Sequence, residues 1–197
     1  MVLRLASLIV FLALAQLGAA QGEFVAGYGI YSSSEMGKDP FKPSTNSITT
    51  LSGDYNTHTS GMGPWVIGYK YNLGKHLSFG FMGVVSTFTT NYFGDKLVED
   101  IKVDSKQSVY TNQLSTLIKV AYSWFRIKNL TLYSSCSGGL CYGNFKNSSE
   151  NIRTERLTPA YQVNLLGVRA GGRLGTYLEL GYGYVGIANV GVSLYLK

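Results

Sequence analysis

The chain has 197 residues, of which 45% are hydrophobic and 14% charged, and a formal net charge of +6; this balance excludes disordered, collagen-like and coiled-coil classes. Two cysteines cannot build a disulfide framework, no Cys/His spacing suits zinc, and 24 Gly with 15 Tyr and 9 Phe suit strands better than helices. The basic excess is modest and mixed with acids in every polar segment, so no nucleic acid partner is implied.

In chain order, residues 1–20 carry one positive charge at Arg4, an apolar run from Leu5 to Leu17, and then Gly18, Ala19 and Ala20. This is the plan of a secretory signal peptide cleaved after Ala20, which leaves a mature domain of residues 21–197. The run is short for an anchor helix across a hydrocarbon core about 30 Å thick, and no later apolar run approaches the roughly 18 residues of a membrane helix.

After Gly22 the dominant signal is alternation with period two, which reads as strand. It predicts eight strands, over residues 24–32, 64–73, 76–90, 108–127, 130–145, 160–172, 175–185 and 189–196. Their connections alternate in length. Tight turns at Asn72-Leu73-Gly74-Lys75, Lys128-Asn129 and Arg173-Leu174-Gly175 are interleaved with long polar segments over 33–63, 91–107 and 146–159, and the last connection, around 186–188, is short. A meander of this kind places the tight turns and both termini at one end. The expected fold is therefore all-β: an eight-stranded antiparallel up-and-down transmembrane β-barrel, with tight turns and termini periplasmic and long loops outside.

Sorting the strands by parity separates two faces. Trp65, Ile67, Tyr69 and Tyr71 oppose Val66, Gly68 and Lys70; Leu114, Ile118, Val120, Tyr122 and Trp124 oppose Gln113, Ser115 and Lys119. Leu178, Leu180, Tyr182 and Tyr184 oppose Tyr177, Glu179 and Gly181, and Val190, Val192 and Leu194 oppose Gly191, Ser193 and Tyr195. The bulky set is too large for an eight-stranded interior, so it is expected to face lipid, with Trp65, Tyr69, Tyr71, Tyr122, Trp124, Tyr182 and Tyr184 as its aromatic residues. The sixth strand mixes parities, with Tyr161, Val163 and Leu165 odd but Leu166, Val168 and Ala170 even, which predicts a bulge near Gly167.

Charge placement supports the same assignment. Most charged residues fall in the three long segments, and Glu23, Lys75, Arg126, Lys128, Arg173 and Lys197 fall at the tight-turn end. Within the strands lie Lys70, Lys119, Arg169 and Glu179, all on the small-residue face, where burial requires partners. They are expected to form a lumen charge network, a plug rather than an ion path, with Glu179 and Arg169 on adjacent strands.

The last third, LLGVRAGGRLGTYLELGYGYVGIANVGVSLYLK, and the hairpin GYKYNLGKHLSFGF carry a Gly-x-Arg-x-Gly strand, a Glu-Leu-Gly-Tyr-Gly strand and a closing Gly-Val-Ser strand. In these motifs the chain resembles the small eight-stranded outer-membrane β-barrel proteins of Gram-negative bacteria of the Bacteroidetes type. It departs from them in ending Leu196-Lys197 where that group ends in an aromatic residue. The resemblance implies an outer-membrane location, outer-membrane lipid and the barrel-assembly machinery as partners, and loops that present an unassigned extracellular ligand site or serve envelope integrity.

Small barrels of this kind can be lipid-modifying enzymes, so the resemblance makes the two histidines candidates for catalysis. His58 lies in the run Asp54 to Ser60 and reads as part of a solvated loop; His76 reads as an interfacial residue at a tight turn. Neither catalytic, cofactor nor metal residues are expected. Cys136 and Cys141 differ by an odd number, so on one regular strand they point to opposite faces and do not pair, unless a bulge intervenes at 137–139. Two other readings stand beside the non-catalytic scaffold: a lipid-modifying enzyme using His58, and a soluble periplasmic ligand-binding barrel with Trp65, Tyr69 and Leu180 turned inward.

Overall fold

The computed structural model describes residues 22–34, 56–98, 101–147 and 153–196. Residues 1–20, Asp54 and Lys197 lie outside the described residues, so the leader reading falls there. Eight strands follow one another: β1 (Gly22–Ile30), β2 (Asn56–Leu73), β3 (Leu77–Val98), β4 (Ile101–Ile127), β5 (Leu130–Asn147), β6 (Arg153–Gly171), β7 (Leu174–Gly183) and β8 (Ala188–Tyr195). Each pairs antiparallel with its neighbour in sequence, and β8 closes on β1 from Glu23↔Tyr195 to Ile30↔Ala188. The result is a closed up-and-down barrel, which removes every sheet edge where the strands overlap.

The two ends differ. Turns at 74–76, 128–129 and 172–173 lie at one end with the start of β1 and the end of β8, as the alternating connection lengths predict. From that end β2 to β6 rise for 18, 22, 27, 18 and 19 residues, whereas β1, β7 and β8 have only 9, 10 and 8. A tall wall therefore stands opposite a low one. Within the segment 91–107, expected as loop, residues 91–98 and 101–107 are strand instead: β3 and β4 stay paired from Leu77↔Tyr122 to Val98↔Ile101. Residues 56–63 and 153–159 likewise extend β2 and β6. Long polar composition reads as loop, but Thr, Tyr, Val and Ile recur through 87–110 and suit the pleated strand surface.

Three bulges adjust the ladders. Between Met62↔Thr87 and Trp65↔Val85, β2 carries one extra residue around Pro64, which has no N–H to give the ladder. A second accommodates Trp124, between Ser123 and Phe125. The third lies on β6 between Asn164 and Leu166, close to the position that mixed parity marked. It turns Leu165 and Leu166 both outward, so Gln162 and Asn164 face inward on one side of it and Gly167 and Arg169 on the other. The Leu165 carbonyl accepts a hydrogen bond from Ser134 Oγ across the bulge.

Within the barrel, towards the tall end, Val66, Met82, Val84, Leu117, Cys141, Ala160, Tyr184 and Val185 form an apolar cluster. Tyr184 is a correction: expected on the outward face, it is 3% exposed and lies inside. The cause is Gly183, whose φ of 143° breaks the alternation that held through Leu178, Leu180 and Tyr182. The chain from Tyr184 to Ile187 then folds into the barrel mouth, with Tyr184 N donating to Tyr161 O and Ile187 N to Ile30 O, each at 2.9 Å. Gly29 makes the room, since a Cβ there would stand 1.8 Å from the Val185 carbonyl oxygen.

Candidate functional site

The lumen is layered. At the tight-turn end β6 delivers Arg169 and β1 delivers Glu23, and Arg169 Nε donates to Glu23 Oε1 at 2.6 Å and to Ser193 Oγ at 2.9 Å. Its other guanidinium nitrogens donate to the carbonyls of Gly171 (2.7 Å) and Gly172 (2.8 Å), and its plane lies 4.0 Å from the centre of the Tyr195 ring. Lys70 of β2 reaches the remaining oxygen of Glu23 at 2.6 Å. Every guanidinium nitrogen thus has an acceptor, the condition under which a buried cation is tolerated.

Next comes Glu179, whose side chain is 2% exposed. Its Oε1 is paired with Lys119 and accepts from the Tyr133 hydroxyl at 2.8 Å; its Oε2 accepts from Asn164 Nδ2 at 3.0 Å and Asn189 Nδ2 at 3.2 Å. Five strands meet at one carboxylate. The Tyr133 ring lies between the two lysines, with Lys70 Nζ 5.3 Å and Lys119 Nζ 5.9 Å from its centre. Above this layer Gln162 ties the infolded cap to the wall: Nε2 donates to Asn164 Oδ1 and Gly186 O, and Oε1 accepts from Val185 N.

Lys70, Lys119, Arg169 and Glu179 are all in the lumen, but they are not one chain of four. Arg169 meets Glu23 rather than Glu179, because Arg169 registers with Tyr177 and Glu179 sits nearer the tall end of β7. Glu23 is the member sequence reasoning missed. The predicted first strand starts at Phe24, yet Glu23 shares parity with Val25, Gly27 and Gly29, and three inward cations against one acid require a second carboxylate. A cavity of about 20 Å³, bordered by Lys70, Met82, Lys119, Tyr133, Tyr177 and Glu179, has room for one water molecule.

The outer face is almost entirely apolar along the lower barrel. Ile67 is 68% exposed, and Ile118, Val120, Leu178, Val192 and Leu194 are likewise open, on strands from every side of the barrel. Of the expected outward aromatics, Trp65, Tyr122, Trp124 and Tyr182 are exposed and Tyr71 is half-buried. Tyr69 shares their face by register with Phe24, but it is only 4% exposed: its ring is covered by Phe24 at 5.0 Å and Phe81 at 6.1 Å, and its hydroxyl lies over Gly22. A closed apolar band of this extent is far larger than the patches soluble monomers leave in water.

The remaining candidates separate. Backbone pairing places His58 opposite Asn91 on the tall part of β2, but its side chain, like Asp54, lies outside the described residues. His76 is exposed at a tight turn, where Nδ1 sits 2.9 Å from Ser123 O and the ring stacks on Tyr122. Cys136 is exposed on the outer face and Cys141 buried on the inner one; the strand is regular between them and they form no disulfide. Among the described residues no His/Cys/Asp/Glu group could hold a metal ion. No protein-family model matches this chain, and no curated protein matches it.

Proposed function

We propose that the chain is a bilayer-inserted barrel of a Gram-negative outer membrane, a non-catalytic scaffold whose lumen is a plug and whose tall β2–β6 wall and loops make contacts outside the cell. The observation that carries this reading is the pairing of a continuous outward apolar band with a lumen that holds the ionised residues lying at the height of that band. Water would leave that band exposed at roughly 25 cal/mol per Å², whereas hydrocarbon accepts it. A soluble ligand-binding barrel needs its bulk inside and a cavity for the ligand; here the bulk is outside, and the lumen cavity bordered by Lys70, Lys119 and Glu179 has room for one water molecule. The ionised groups of the lumen are spent on one another and on Tyr133, Asn164 and Asn189, which favours a structural role over a reactive one.

Outer-membrane lipid and the barrel-assembly machinery are the partners this reading requires, and the extracellular ligand is to be sought on the tall wall. Membrane fractionation of the expressing cell, with gel migration of unheated and boiled samples, tests it. Detergent-dependent extraction and faster migration before boiling are expected; release in buffer alone would overturn the reading. Substitution of His58 is expected to leave envelope lipid composition unchanged, and an altered composition would restore the enzyme.

A further inference from the structure

The tight-turn end carries a charge pattern that barrel closure does not explain. The carboxylates of Glu23 and Glu179 point into the lumen, and every other Asp and Glu belongs to the β1–β2, β3–β4 and β5–β6 connections or to the strand ends beside them. What remains at the tight turns is cationic and exposed: Lys75 in the β2–β3 turn, Arg126 at the foot of β4, Lys128 in the β4–β5 turn and Arg173 in the β6–β7 turn. None of the four forms an ion pair among the described residues.

Their placement is built. Arg126 Nη2 donates to Ser123 Oγ at 3.0 Å and to Asn72 Oδ1 at 3.4 Å, which draws the guanidinium across the rim towards the turn bearing Lys75. Directly above them, on the outer face, sit Tyr122 and Trp124, their rings edge-on at 6.3 Å, with the Trp124 indole nitrogen donating to Ser134 Oγ at 3.1 Å. Amphipathic rings of this kind settle at the headgroup level of a bilayer, so cations one turn beyond them stand at the depth of the phosphates.

We propose that Lys75, Arg126, Lys128 and Arg173 form a ring that binds the headgroup phosphates of anionic phospholipids in the leaflet meeting the tight turns, and selects them over zwitterionic lipids. The inference rests on the bilayer reading above. Two arginines supply forked donors for phosphate oxygens and two lysines supply mobile point charges, and among the described residues the one carboxylate side chain near this end, Glu23, is buried and paired with Lys70 and Arg169.

The two tryptophans provide the test. A Trp65→Phe variant leaves Trp124 beside the ring, and Trp124→Phe leaves Trp65 near the far edge of the apolar band. Each full chain is reconstituted into phosphatidylcholine vesicles containing equal fractions of brominated phosphatidylglycerol or brominated phosphatidylcholine. Trp124 is expected to be quenched about threefold more effectively by the anionic lipid at low ionic strength. That preference should fall to parity in about 1 M salt, where the Debye length is roughly 3 Å. It should also vanish when all four cations are replaced by Gln, and persist when Lys and Arg are exchanged. Trp65 should show no dependence on the four positions. Equal quenching of Trp124 by both lipids at low salt overturns the ring while leaving the bilayer reading intact. Absence of quenching of either tryptophan by either lipid overturns the bilayer reading itself. The salt titration needs no charge variant, so the inference stays open to refutation if the fourfold substitution fails to fold.

Discussion

Replacing Glu179 by Gln keeps the size of the side chain and removes its charge at the point where five strands converge. The carboxylate accepts from Lys119 and Tyr133 on one oxygen and from Asn164 and Asn189 on the other. A Gln amide offers one oxygen only; whichever way it turns, its NH2 faces two donors, and Lys119 is left beside no counter-charge. Removing one partner of a buried pair typically costs about 3 to 5 kcal/mol, and the bonded network around Glu179 places this site inside that range. That corresponds to roughly two to three and a half orders of magnitude in the unfolding equilibrium. Urea unfolding in phospholipid vesicles, followed by tryptophan fluorescence, measures it. The double variant Lys119→Met with Glu179→Gln should recover at least about 1.5 kcal/mol of the summed single effects, because the stranded cation is gone. If Glu179→Gln unfolds within about 0.5 kcal/mol of the parent, the carboxylate is hydrated and the sealed lumen is wrong.

Other expectations follow from the same geometry. Ile118→Arg, on the outward face of β4, should destabilise the barrel in bilayers by about 2 to 4 kcal/mol, whereas a water-exposed site would tolerate it to within about 0.5 kcal/mol; unfolding in vesicles distinguishes the two. Gly29→Ala forces a Cβ against the Val185 carbonyl and should displace the Tyr184–Ile187 cap at a cost of about 1 to 3 kcal/mol. The same variant should open Cys141 to a water-soluble maleimide, to which the parent's Cys141 is closed; equal labelling of the two would argue against the cap. Planar-bilayer recordings of the parent should show no steady conductance, since ion pairs fill the middle of the lumen and the cap fills its mouth; a defined open level would reject the plug.

How much of this was legible in the sequence depends on the kind of residue. Period two located all eight strands and, because one face is bulky and the other small, it also assigned Ile67, Ile118 and Leu194 outward and Lys119 and Glu179 inward. The same alternation exposed the β6 bulge, since a single extra residue inverts every parity beyond it. It failed where a glycine ends the period: nothing in Tyr182-Gly183-Tyr184 shows that Gly183 takes a positive φ and sends the second tyrosine into the lumen. It also fails where a polar stretch reads as loop, for a hairpin can pair through its backbone without an apolar face, and Val98↔Ile101 ends one in a stretch rich in Asp and Lys. The lumen network is legible in its cations and Glu179; Glu23 escapes because the predicted first strand starts two residues later than β1 does.

In the bilayer reading, hydrocarbon surrounds the outward face of the barrel. Nitroxide labels placed one at a time along β4 at Tyr110, Leu114, Ile118, Tyr122 and Trp124, in a chain without its two cysteines, read the environment of that face directly. Collision with oxygen should peak at Ile118 while collision with a water-soluble nickel chelate reaches its minimum there, rising towards Tyr110 and Trp124. A nickel chelate that reaches Ile118 as freely as Tyr110 would mean that water bathes the band, and the account would be contradicted.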